Sequence, residues 1–186
     1  MPLQVIGGKA RGRRLKSPPG GVRPSAAILK KSLFDILGPG IAGKAVLDLY
    51  AGSGSLGVEA LSRGAARCDL VERDRGCVRV ISENLQAIGA EGRARVHSAA
   101  VETWIAHHAA ELAGYDLVLA DPPYGEPRLP EVVAALARDL GPGAMVVVEE
   151  RESRRLDSPP GLTEVRRVRH GDSALTFFRR EGGEPA

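Results

Sequence analysis

Cysteine is scarce in this chain of 186 residues: Cys68 and Cys77 are the only two. One falls in a predicted strand and the other in the helix after it. None of His97, His107, His108 and His170 stands at ligand spacing from them, so neither a disulfide framework nor a metal centre is expected. Both read as small hydrophobes in a reducing, cytoplasmic setting. Aromatic residues make up 4% of the chain, and the single tryptophan, Trp104, reads as core. No apolar run is long enough to span a bilayer, and the N-terminus lacks the apolar centre of a signal peptide, so no membrane partner is expected. Acidic residues are missing from the first 34 positions, which hold Lys9, Arg11, Arg13, Arg14, Lys16, Arg23, Lys30 and Lys31. The formal net charge is +3, which leaves 18 basic against 23 acidic residues for the rest. A polyanion contact confined to one end fits that distribution.

What is present centres on Val46 to Gly57. An apolar run ends in Asp48, breaks into small residues, and resumes helical spacing through Val58, Ala60 and Leu61. This is the pattern of a buried parallel strand turning tightly into a helix. Gly52-Ser53-Gly54-Ser55-Leu56-Gly57 fits G-x-G-x-x-G, a weak signal of nucleotide binding when it stands alone. Asp48 can accept hydrogen bonds from a cationic or hydroxyl group of a ligand. A second strand, Cys68 to Glu72, ends in an acid twenty residues beyond Gly52, where nucleoside-binding α/β units place the acceptor for ribose hydroxyls. A further apolar strand delivers Asp121-Pro122-Pro123-Tyr124.

Taken in order, Leu3–Ile6 and Arg11–Leu15 around Gly7-Gly8 predict a small hairpin. Ser25 caps a predicted helix carrying Ile28, Leu29, Leu33, Phe34 and Leu37, with Lys30 and Lys31 on its solvent side. Strands are predicted at 45–50, 68–72, 95–97, 115–120 and 144–148. Helices alternate with them, one running from Val101 through Leu112. An antiparallel hairpin over 163–168 and 174–180 closes the sheet. Such alternation implies an α/β fold with a doubly wound, mostly parallel sheet. The chain reads as a single domain over 1–186, with a basic extension at 1–24 and a core at 25–181. Ligands of such sheets bind beyond the carboxyl ends of the strands, where Asp48, Glu72, Ser98 and Asp121 emerge.

The strand end D-L-Y-A-G-S-G resembles the opening of S-adenosylmethionine-dependent methyltransferases, and D-P-P-Y resembles the motif of those acting on planar amino groups. Further stretches resemble the RsmD-type guanine-N2 methyltransferases of 16S ribosomal RNA. They are Val5-Ile6-Gly7-Gly8 with Arg11-Gly12-Arg13, Arg23-Pro24-Ser25, Leu33 to Leu37, Glu59 to Ala65, Val71-Glu72 and Gly171-Asp172-Ser173-Ala174-Leu175. The resemblance covers nearly the whole chain. It implies a Rossmann-like methyltransferase sheet with S-adenosylmethionine as cofactor. It also implies ribosomal RNA as partner, within an assembling small subunit or free, and guanine 966 as target. The implied cofactor residues are Asp48, Tyr50, Ala51, Gly52, Ser53, Gly54, Glu72, Arg73, Ser98, Ala99 and Asp121. Asp121, Pro122, Pro123 and Tyr124 are the implied catalytic set, and Arg11, Arg13, Arg14, Arg23, Lys30 and Lys31 the RNA contacts. Ile28 stands where the family has arginine, and Ala99 where it often has Asn or Asp. Adenine-N6 methylation of DNA or RNA, and RNA binding without catalysis, are the alternatives.

Overall fold

The computed structural model describes residues 3–17 and 26–182. Arg23 and the Ser25 cap therefore lie outside the described residues. Five strands run parallel: β1 (Ala45–Leu49), β2 (Arg67–Glu72), β3 (Ala94–Ser98), β4 (Leu117–Ala120) and β5 (Met145–Arg151). They alternate with helices α2 (Ser55–Ser62), α3 (Arg75–Ala87), α4 (Val101–His107) and α5 (Leu129–Asp139), and α1 (Ala26–Leu37) precedes β1. The hairpin β6 (Leu162–His170) and β7 (Ser173–Arg180) completes one seven-stranded sheet in the order β3-β2-β1-β4-β5-β7-β6. β7 pairs antiparallel to both β5 and β6. The order reverses between β1 and β4, and a crevice opens at that point in doubly wound sheets.

The strands are apolar on both faces because both faces are covered. Val46, Leu119, Val147 and Phe177 pack with α1, α2 and α3, while Leu47, Leu49, Val118, Val146 and Val148 pack with α4 and α5. Trp104 is buried in that second cluster, as its spacing predicts. Most strand boundaries shift by one or two residues from the sequence pattern, and three changes have a visible structural context. The predicted helix through Leu112 breaks at His108 into α4 and a 3-10 helix, Ala109–Gly114. β4 begins at Leu117, and the preceding Asp116 uses its carboxylate to accept from the Ala45 amide. β5 continues to Arg151 because β7 gives it an antiparallel ladder as far as the Arg151–Ser173 pair.

The basic N-terminal segment is a fastened hairpin with one bridge, between Gln4 and Arg14. Its turn sits on the end of α2: the Lys9 amide donates to the Ser62 carbonyl (2.8 Å) and the Ala10 amide to Ser62 Oγ (3.0 Å). Gly8, at φ +75°, approaches so closely that a Cβ there would lie 2.0 Å from the Ser62 carbonyl oxygen. Asn84 of α3 holds Lys16 by both its amide and its carbonyl, and also donates to the Ser53 carbonyl.

Beneath the hairpin lies Glu59, fully buried. Its Oε2 accepts from the Ile6 amide (2.8 Å), and its Oε1 accepts from Arg63 Nε (2.8 Å). Lys30 stands 3.5 Å from the same carboxylate and donates to the Gln4 carbonyl and Ser55 Oγ. This corrects the expectation for Lys30: it is 5% exposed, enclosed between α1, α2 and the hairpin, so its ammonium faces Glu59 and not an RNA surface. Burial pushes its pKa down, and Glu59 opposes that shift. Lys31 is exposed and pairs with Asp35. Glu59→Ala should therefore cost about 3–5 kcal/mol in chemical denaturation, because it strands a buried ammonium and a backbone amide together. A loss below about 1 kcal/mol would show that the pair is dispensable.

Candidate active site

The turn after β1 is built from left-handed residues. Tyr50 has φ +58°, the one positive φ outside glycine among the described residues, and Gly52 and Gly54 follow at +56° and +73°. Such a backbone is strained for a residue with a Cβ and suits glycine. A Cβ on Gly54 would also meet Ile81 and Leu70 at 3.2 Å, so this glycine shapes the turn from below. The turn is tied to β2 by the Gly52 amide, which donates to Glu72 Oε2, while Oε1 accepts from the Asp74 amide at the start of α3, both at 2.8 Å. Asp48 Oδ2 accepts from the Gly57 amide (2.8 Å) and so anchors the first turn of α2 to β1. Burial pushes the Asp48 carboxyl well above the usual carboxylate range; the Gly57 amide opposes this, while the charges of Asp121 and Glu72 add to it.

Above these strand ends lies a cavity of about 1160 Å³. Its walls include Asp48, Tyr50, Ala51, Gly52, Ser53, Glu72, Arg73, Ala99, Asp121, Pro122, Pro123 and Tyr124, so most of the expected cofactor and catalytic residues meet in one space. Two do not line it. Gly54 sits beneath the turn, and Ser98 is exposed at the end of β3, opposite Glu72 in register. The expectation that Ser98 borders the ligand is corrected accordingly: the chain turns into the cavity only from Ala99 onward. A second correction concerns the roof. The carboxyl ends of the strands do not build the cavity alone, because Leu3, Gln4 and Ile6 of the hairpin and Ile28, Leu29 and Lys30 of α1 close one side. Arg11, Arg13 and Arg14 are exposed on the outer part of the hairpin.

At the other end of the cavity the Tyr124 hydroxyl is 2.6 Å from Ser173 Oγ, which donates in turn to Glu149 Oε1 (3.4 Å). The guanidinium of Arg151 lies over the Tyr124 ring, 4.6 Å from its centre, which is cation–π range. A smaller hollow of about 340 Å³ adjoins this point and is lined by Arg151, Arg154 and Arg155. Glu149, Arg151 and Ser173 were missed as site residues, although Val146-Val147-Val148-Glu149 repeats the signal of Asp48 and Glu72, an apolar run closing on an acid.

The donor set fits S-adenosylmethionine. Glu72 presents a carboxylate where a ribose would lie, the glycine turn clears space for a ligand, and several acids line a cavity suited to a sulfonium cation. The chemistry that cofactor supplies when bound is an electrophilic methyl group. Topology and site together define a Rossmann-like, S-adenosylmethionine-dependent methyltransferase. The same fold is seen in the solved structure of an RNA methyltransferase from Salinibacter ruber in complex with S-adenosyl-L-homocysteine, with TM-score 0.67 and 16% identity over 88% of this chain and 97% of that one. Residues 3–179 match the family described as Conserved hypothetical protein 95, and the chain belongs to that family. Ribosomal RNA small subunit methyltransferase D of Escherichia coli K12 is 33% identical over 183 residues, spanning 96% of this chain and 90% of that protein. The solved structure of yhhF from Escherichia coli matches with TM-score 0.85 and 32% identity, covering 98% of this chain and all of that one.

Glu72→Ala removes the expected ribose acceptor, the tie to the Gly52 amide in the turn and the tie to the Asp74 amide that opens α3. Affinity for S-adenosylmethionine should fall by roughly 1–3 kcal/mol in calorimetry, with a lower melting temperature. An unchanged dissociation constant would show that Glu72 serves the turn alone.

Proposed function

We propose that this protein transfers a methyl group from S-adenosylmethionine to the exocyclic N2 amine of a guanine in small-subunit ribosomal RNA, in the cytoplasm. Guanine 966 is the position to which the family resemblance points. The observation that carries the reading is Asp121-Pro122-Pro123-Tyr124 leaving β4 into the cavity that also holds Asp48 and Glu72. The name of the Escherichia coli relative supports ribosomal RNA as the substrate class.

An aromatic amine is a poor nucleophile because its lone pair is delocalised into the ring. Holding it in line with the methyl group and drawing its hydrogens toward acceptors offsets that weakness. Asp121 and the Pro122 carbonyl accept from the amine and favour a more tetrahedral nitrogen. Neither Pro122 nor Pro123 has an amide hydrogen to compete, and both stiffen the loop. Tyr124, fixed by Ser173 through its hydroxyl, stacks on the extruded base with the ring face that Arg151 does not cover. With S-adenosylmethionine bound, the N–C bond would form as the S–C bond breaks. The nitrogen then releases its proton readily, so a strong general base is not required.

Small-subunit RNA from a strain lacking the protein, offered free or as assembled subunits with labelled cofactor, should gain N2-methylguanine by mass mapping. Methyl on an adenine, or no transfer, would overturn the proposal. Asp121→Ala should keep cofactor binding and lose transfer by about a hundredfold or more in single turnover. Near-parental turnover would remove Asp121 from this role.

The exposed arginines of the hairpin supply the phosphate contacts in this reading. Replacing Arg11, Arg13 and Arg14 by Ala should weaken RNA binding and flatten its salt dependence by about one unit per lost contact. Cofactor affinity should not change, because none of the three lines the cavity. Parental affinity and slope would assign recognition to another surface.

A further inference from the structure

Four acids stand at or within two residues of the carboxyl ends of four neighbouring strands, in spatial order Glu72 (β2), Asp48 (β1), Asp121 (just past β4) and Glu149 (β5). All four line the large cavity. In the proposed function the first two serve the cofactor and Asp121 the methyl acceptor. Glu149 is one strand further on. Leu119 pairs with Val147 and Ala120 with Val148, which sets Asp121, the next residue after β4, level with Glu149, and both border the same cavity. Neighbouring parallel strands are about 4.8 Å apart, close enough for two carboxylates to meet one edge of a single base. Glu149 is 8% exposed, held within the wall and not waving in solvent.

The geometry points to Glu149 as the residue that selects the target base, accepting a hydrogen bond from guanine N1–H while Asp121 holds the N2 amine. This rests on guanine N2 being the methyl acceptor. Of the four RNA bases, only guanine carries two adjacent donors on its Watson–Crick edge. Adenine and cytosine set an acceptor nitrogen beside their amine, and uracil flanks one N–H with two carbonyls. A pair of carboxylates therefore attracts the guanine edge and repels each of the others. A carboxylate accepts from several donors at once, so the bond from Ser173 and one from the base are compatible. Sites built to hydrogen-bond one substrate edge reject analogues that lack the matching group far more strongly than apolar pockets do.

The test uses small-subunit RNA carrying either guanine or 2-aminopurine at the methylated position. 2-Aminopurine keeps the reactive amine and replaces N1–H by an acceptor. The parent enzyme should methylate guanine at least roughly a hundredfold faster. Glu149→Gln offers an amide donor to N1 of 2-aminopurine, so it should slow guanine transfer and narrow the ratio by about tenfold or more. Ser173→Ala cuts the link from the carboxylate to Tyr124 and should leave the parental ratio in place, even if both rates fall. S-adenosylhomocysteine binding close to parental in both variants reports an intact fold. A parental ratio in Glu149→Gln overturns the assignment, as does a Ser173→Ala variant that narrows the ratio equally. So does a parent that discriminates less than about threefold, a result that needs no variant to fold. Methyl placed off guanine N2 by the parent overturns the proposed function instead, and mass mapping distinguishes that outcome.

Discussion

The buried carboxylate of Glu59 decides how the two ends of this molecule's surface relate. It sits at the centre of α2 with no access to water, and an unpaired charge there would not be tolerated. Its partners come from three places: the Ile6 amide in the hairpin, Lys30 in α1 and Arg63 in its own helix. Meeting that demand locks the basic hairpin and the first helix onto the catalytic core. Those same elements close one side of the cavity, so the basic hairpin and the cavity wall share one buried anchor.

A second electrostatic constraint acts at the strand ends. Asp48, Glu72, Asp121 and Glu149 converge in one cavity without a metal-binding cluster among the described residues. Mutual repulsion and burial make such a cavity costly when empty of cations, as the raised pKa of Asp48 registers. A cationic ligand such as a sulfonium relieves that cost. The exposed arginines lie outside on the hairpin, so opposite charges are kept apart, acid within the cavity and base on the outer surface. The acidic lining suits a cationic ligand, and a basic outer surface is the kind that attracts polyanions.

Much of the architecture follows from local pattern. Apolar runs four to six residues long, alternating with helical periodicity, set a parallel doubly wound sheet, and the acid or small residue closing each run marks the end at which ligands bind. The boundaries that moved furthest were those set by partners. β5 is lengthened by the ladder that β7 offers to Arg151, and the helix after β3 gives way to a 3-10 turn.

Residue chemistry in sequence was enough to bring Asp48, the glycine turn, Glu72 and Asp121 to Tyr124 into one site, because each follows its own strand directly and the sheet aligns strand ends. Lys30 could not be placed this way. Helical spacing puts it beside Lys31, and only the packing of the hairpin over α1 turns it inward to Glu59. Ser98 fell outside the cavity for a similar reason, since β3 ends one residue before the chain enters it. Glu149 and Ser173 lie 24 residues apart, and Ser173 and Tyr124 lie 49 apart; no local signal joins them. The insertion of β7 beside β5 brings them together, and that pairing depends on burying both sheet faces at once. The sequence alone therefore determined the strands, the turns and the chemical class of the site. Long-range packing decided which charges face the ligand and which are spent holding the fold.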